Sequence, residues 1–250
     1  MSADSPELIW HDRPTLETHA QPHYSDALPF HNWAHALAVA DESLSIAARA
    51  AQHGLALDTA VMIPAALNHD AGFFLNPGVD HTFASKELYS ANVVHDDLTL
   101  LRAPERAATH AAQIVASTQK GVACASPEAK AVRQADLANV SSNNPLAFLN
   151  GTYRLYAESK MLAGQRLLKL SVDPEAIIKD FVKFAAISYE ILSAYNQEDI
   201  SLGDFDRDKN GVSIFQKQAA KNIERLVPNR LTGLLQSKFG DIVHYKPIGL

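Results

Sequence analysis

The chain has 250 residues, 47% apolar and 20% charged, a balance that supports a sizeable folded core and argues against disorder over most of its length. A formal net charge of -6 argues against a broadly basic surface of the kind that coats nucleic acid. The single cysteine, Cys124, excludes an intrachain disulfide and a cysteine-based zinc cluster. With no leader-like start and no apolar run of bilayer length, the sequence predicts a soluble, cytoplasmic protein without a membrane partner.

Residues 1–28 show no sustained periodicity around Pro6, Pro14 and Pro22, and predict a mostly irregular arm with a short helical turn near Pro14 to His19. From Trp33 the spacing turns helical: Trp33, Leu37, Ala40, Leu44 and Ala47 form one stripe, which Gly54 ends. Asp58 is placed to cap a second helix running to about Ala71, with a kink at Pro64. Phe73 to Phe83 reads as a loop. Helices are predicted at 84–95, 97–118, 127–140, 145–170 and 174–196, then at 212–226 and 228–238 beyond a polar loop from Gly203 to Gly211. No stretch alternates as a strand would. The predicted fold is all-α: an arm (1–28), one helical domain (29–196), and a C-terminal loop, helix and tail (197–250) packed on it. The apolar helix at 174–196 could pack in a homodimer.

Several polar residues sit in places that call for chemistry. His31 and His35 are four apart, so if both are helical they share a face. His69-Asp70 follows the buried-looking run Ala65-Ala66-Leu67, an imidazole and a carboxylate side by side at a helix end. Asp136 interrupts an apolar face, where an unpaired charge would be costly. Glu87 lies in the stretch from His81 to Ala91. Two imidazoles and two carboxylates suit a divalent transition metal, and an open position would lower the pKa of a bound water.

His35, His69-Asp70 and Asp136, in that order on helices, resemble the H…HD…D signature of the HD-domain superfamily of metal-dependent phosphohydrolases. The stretch His31-Asn32-Trp33-Ala34-His35-Ala36 resembles the HNxxHA form found in a subset that includes cyclic-nucleotide phosphodiesterases, as does Ala135-Asp136-Leu137-Ala138-Asn139. Glu87 to Ala91 is similar to the E-x-x-S-A stretch of bacterial HD phosphohydrolases, and Ile114 to Thr118 to their I-x-x-x-T helix. The resemblance covers residues 30–140. It implies His35, His69, Asp70 and Asp136 as ligands of one or two ions (Zn, Mn, Fe or Mg), with Asp70 the bridge if there are two. It further implies hydrolysis of a nucleotide or other small phosphate ester by metal-activated water, with His31 as general acid and Glu87 holding the water. Thr118, Lys120 and His81 are carried as substrate contacts. The pair His69-Asp70 is followed by Ala71-Gly72-Phe73-Phe74 rather than by the further histidine of the phosphodiesterases, which leaves the second ion and a cyclic substrate open. Also open are non-phosphate chemistry on the same fold (a small-molecule hydratase or lyase, a di-iron oxygenase) and a non-catalytic sensor module.

Of two further His-Asp pairs, His11-Asp12 lies in the arm without an apolar helical approach, and His95-Asp96 closes a helix, where Asp96 or Asp97 can cap the next one; neither is assigned to the metal. Asp206 to Gly211 opens like an EF-hand calcium loop, but Lys217 stands where the twelfth-position acid belongs, so it reads as a polar turn.

Overall fold

Side-chain caps decide where most of the helices begin. The computed structural model describes residues 9–74, 84–162 and 174–239. Asp12 accepts the Thr15 amide at 3.1 Å and opens α1 (Arg13–Ala20), Asn32 accepts the His35 amide at 3.1 Å and opens α2 (Trp33–Gln52), and Asp58 accepts the Ala60 amide at 3.1 Å and opens α3 (Thr59–Asn68). Ser85 caps α4 (Lys86–Leu100), α5 (Glu105–Ala116) follows Pro104, and Ser126 caps α6 (Pro127–Asp136). Then come α7 (Pro145–Leu162), α8 (Pro174–Tyr195), α9 (Ile214–Ile223) and α10 (Pro228–Phe239). The fold is all-α. Among the described residues there is no strand, the Arg207–Ser213 pair forming an isolated antiparallel bridge.

Three local expectations are corrected. The arm contains a regular helix, α1, whose Leu16 and Ala20 are buried in the core. The break expected at 95–97 falls at 101–104: α4 runs on to Leu100, Arg102 takes a left-handed backbone (φ 59°), and Pro104 cannot extend a helix from behind. Asp96 and Asp97 lie inside α4 and cap nothing. α3 ends at Asn68, not Ala71, and a 3-10 turn from Ala71 to Phe74 takes over.

The chain divides into two compact units, Met1–Ala138 with Ile200–Phe205, and Asn139–Asp199 with Asp206–Leu250. In the second unit α7 and α8 share a core with the chain after α9: Phe148, Tyr156, Phe181, Val182, Ala185, Leu226 and Leu231. In the first unit α3 is the central helix, buried continuously from Val61 to Asn68 and packed on by α1, α2, α4, α5 and α6. A helix apolar on every side needs neighbours on every side. Its C-terminal end therefore emerges inside the unit, and the next two residues are His69 and Asp70, 1% and 3% exposed. No helix among the described residues is long and apolar enough to cross a membrane.

Candidate metal centre

α2, α3 and α6 each deliver part of one cluster. His35 stands in the first turn of α2, His69 and Asp70 directly follow α3, and Asp136 is the last residue of α6. The four offer one ligating atom each, all within 4.8 Å of one another. His35 Nε2 lies 3.6 Å from Asp70 Oδ2 and 3.3 Å from Asp136 Oδ1; His69 Nε2 lies 3.0 Å and 3.3 Å from the same two oxygens. A tetrahedral ion with ligands about 2.05 Å away would separate them by about 3.3 Å. The spacing of the side chains therefore fits one cation.

The hydrogen bonding points the same way. His35 Nε2, His69 Nε2 and Asp70 Oδ2 are buried and have no hydrogen-bond partner. Such orphans are rare and each costs about 1–3 kcal/mol. The other ring nitrogen of His69 is satisfied: Nδ1 lies 2.7 Å from the Ala66 carbonyl, so it is Nδ1 that donates and Nε2 that is turned to the cluster. Burial opposes charge on His69, but the carboxylates of Asp70 and Asp136 outweigh it and raise its pKa to about 10. Asp70 is held well below the ordinary carboxylate value: burial opposes this, and His69, Lys86 and His31 overcome it. Asp136 is likewise lowered, against burial, by His69 and His35. The donor set is two imidazoles and two ionised carboxylates, which fits a divalent transition metal.

Three residues that sequence reading passed over hold Asp70 in place. The Tyr24 hydroxyl donates to the Leu67 carbonyl (2.8 Å) and accepts from the Asp70 amide (3.3 Å), tying the end of α3 to the turn after it. Burial and the nearby Asp70 charge keep that phenol neutral. Gly72 lets the turn touch α4: a β-carbon there would lie 2.6 Å from the Lys86 carbonyl oxygen, and the Gly72 amide donates to Ser90 Oγ at 2.8 Å. Lys86 Nζ then reaches Asp70 Oδ1 at 2.7 Å. Its position one residue before the E-x-x-S-A stretch was the available signal, and Ser90 of that stretch proves to be the acceptor that docks the turn.

The remaining predicted residues divide. His31 precedes the Asn32 cap and so lies outside α2, so the condition under which it would share a helix face with His35 is not met. It still faces the cluster, Nε2 3.9 Å from Asp70 Oδ2, with its ring stacked on Phe73 at a centroid distance of 3.5 Å. Glu87 Oε1 lies 3.2 Å from Lys86 Nζ, so the glutamate adjoins the cluster through the lysine. Thr118 donates its hydroxyl to the Val115 carbonyl at 2.8 Å, the local bond of a helix-end threonine. Lys120 is exposed in the turn after α5. His81 lies outside the described residues. Asp12 caps α1, and His95 Nε2 lies 3.1 Å from Glu105 Oε1. In the second unit, Lys217 Nζ binds Asp208 Oδ2 at 2.7 Å, so a lysine of the chain closes the loop that resembled a calcium site.

Comparison of the chain with protein-family models, with curated proteins and with solved structures finds no match.

Proposed function

We propose that this chain is a metal-dependent hydrolase of small phosphate esters, its ion held by His35, His69, Asp70 and Asp136. The observation that carries the reading is the convergence of His35 Nε2, His69 Nε2 and Asp70 Oδ2, buried and without a hydrogen bond, with Asp136 Oδ1, at ligand spacing. When bound, a divalent ion supplies a Lewis acid that makes water a nucleophile near neutral pH and offsets charge on phosphoryl oxygens. The chain's own groups do the rest. Asp70 and Asp136 bring the negative charge that a cation needs, and the Ala66 carbonyl fixes the His69 tautomer. His31 stands beside Asp70 with its ring clamped flat by Phe73, and its 14% exposed side chain still meets solvent. An imidazole at that point takes the role of a general acid toward the departing oxygen. A phosphate ester of a nucleotide or another small molecule is the substrate class that joins this acid to this cation.

The test couples metal content to turnover. The purified chain is expected to carry a divalent ion by elemental analysis. It is expected to hydrolyse some members of a panel of mononucleotides, cyclic nucleotides and generic phosphate esters, and to lose that activity on chelation. Metal retained with no phosphate ester turned over would move the reading to hydration, lyase or oxygenase chemistry at the same ion. A metal-free chain indifferent to chelators would leave a sensor or scaffold.

A further inference from the structure

The mechanism above leaves Lys86 unused, yet it is the cation already standing in the cluster. Its Nζ lies 2.7 Å from Asp70 Oδ1, 3.2 Å from Glu87 Oε1 and 4.9 Å from the centre of the Phe73 ring. We propose, resting on the reading of His35, His69, Asp70 and Asp136 as an ion site, that the Lys86 ammonium takes the place of a second ion and restricts the centre to one.

A carboxylate that bridges two cations gives one oxygen to each. Asp70 is divided in that way: Oδ2 faces His35 and His69, while Oδ1 is occupied by Lys86. Glu87 Oε1, the neighbouring acidic oxygen, converges on the same ammonium. The two oxygens that would begin a second coordination sphere therefore enclose a cation the chain supplies itself. Charge agrees. Asp70, Asp136 and Glu87 bring three negative charges, and one ammonium with one divalent ion cancels them. A second divalent ion beside the lysine would leave surplus positive charge in a buried cluster, which is costly. The lysine is also held there. Ser85 caps α4 and makes Lys86 its first residue, the close approach at Gly72 presses the Asp70 turn onto that residue, and the Phe73 ring offers its face to the ammonium. A single-ion centre sets aside the di-iron alternative and leaves hydrolysis or hydration on one Lewis acid.

The metal-free 250-residue chain, wild type and the variants Lys86→Met and Lys86→Arg, should be titrated with Mn2+ by calorimetry and by electron paramagnetic resonance. Elemental analysis after gel filtration gives retained metal, and circular dichroism reports the fold. Wild type and Lys86→Arg are expected to bind one Mn2+ per chain with the signal of an isolated ion. Lys86→Met is expected to bind two, with an exchange-coupled signal. Lys86→Gln is the second neutral variant should the methionine variant not fold. Two ions in the wild type would overturn the inference while leaving the ion site standing, as would a folded neutral variant that stays at one. No Mn2+ on the wild type would overturn the ion site, and the role of Lys86 with it.

Discussion

The cluster around Asp70 and the cluster around Asp180 use the same kinds of side chain and are finished in opposite ways. In the second unit, Asp180 Oδ2 accepts from the Tyr156 hydroxyl at 2.8 Å and pairs with Lys160 Nζ at 2.6 Å, and the lysine also lies over the Tyr156 ring. Its side chain is 43% exposed, so that acid has donors and water. In the first unit, Asp70 is 3% exposed and only Oδ1 has a hydrogen-bond donor; Oδ2 and the two imidazole nitrogens around it lie within ion-pair distance but make no hydrogen bond. A satisfied pair at the surface is ordinary scaffold, worth about 1 kcal/mol or less. An incomplete set inside the fold costs stability that a cation would return. Pairing, not the presence of charged residues, separates structural from candidate functional clusters here.

Six measurements test that contrast, beginning with the largest effect. Asp70→Ala should abolish retention of metal, read by equilibrium dialysis with elemental analysis. It should also destabilise the fold by about 3–5 kcal/mol in urea, because His69 and Lys86 lose their buried counter-charge. Asp180→Ala should leave metal content unchanged and cost about 1 kcal/mol or less; an equal loss in both variants would erase the distinction. His31→Ala should keep its metal and lower turnover about 10²–10⁴-fold, by analogy with other general acids. Loss of metal in that variant would make His31 a ligand instead.

Gly72→Ala should cost about 1–3 kcal/mol by thermal or urea unfolding, since the new methyl meets the Lys86 carbonyl at 2.6 Å and must push α4 away. Gly233→Ala in α10, where a β-carbon meets nothing within 4 Å, should gain up to about 1 kcal/mol from helix propensity. The last effect is one of pH on the ion-free protein. The pKa of His69 is raised from an ordinary 6.5 to about 10, so its charged form stabilises the fold fully below about 6.5, and that contribution fades as pH rises towards 10. Asp70 is lowered, so its contribution is present above the ordinary carboxylate value and fades as pH falls below it. Unfolding midpoints of the metal-free chain should decline on the alkaline side between those limits, and saturating metal should flatten the decline, because the ion replaces the proton on His69.

Much of this was legible in the linear sequence because it is local. The stripe from Trp33 to Ala47, the cap at Asp58, the continuous apolar run of α3 and the order His35, His69-Asp70, Asp136 depend on near neighbours, and helices stand at each of these places, α3 and α6 ending a few residues earlier than read. The misread places are those where a distant partner decides. Pro14 sits in the first turn of a helix because Asp12 caps it and Leu16 finds a core. Asp96 and Asp97 cap nothing because Arg102 and Pro104 end the helix later. His31 lies before the cap because Asn32 takes that position.

Residue type and spacing alone determined an all-helical chain and four side chains suited to a cation, since helix period and ligand chemistry are both written in short-range order. Only the tertiary structure decided that those four meet, that α7 and α8 belong with the chain after them, and that Lys86 stands on the outer oxygen of Asp70. Sixteen positions separate that lysine from its carboxylate. Contacts of that kind follow from packing, from a glycine small enough to let a turn touch a helix, and not from any pattern along the chain.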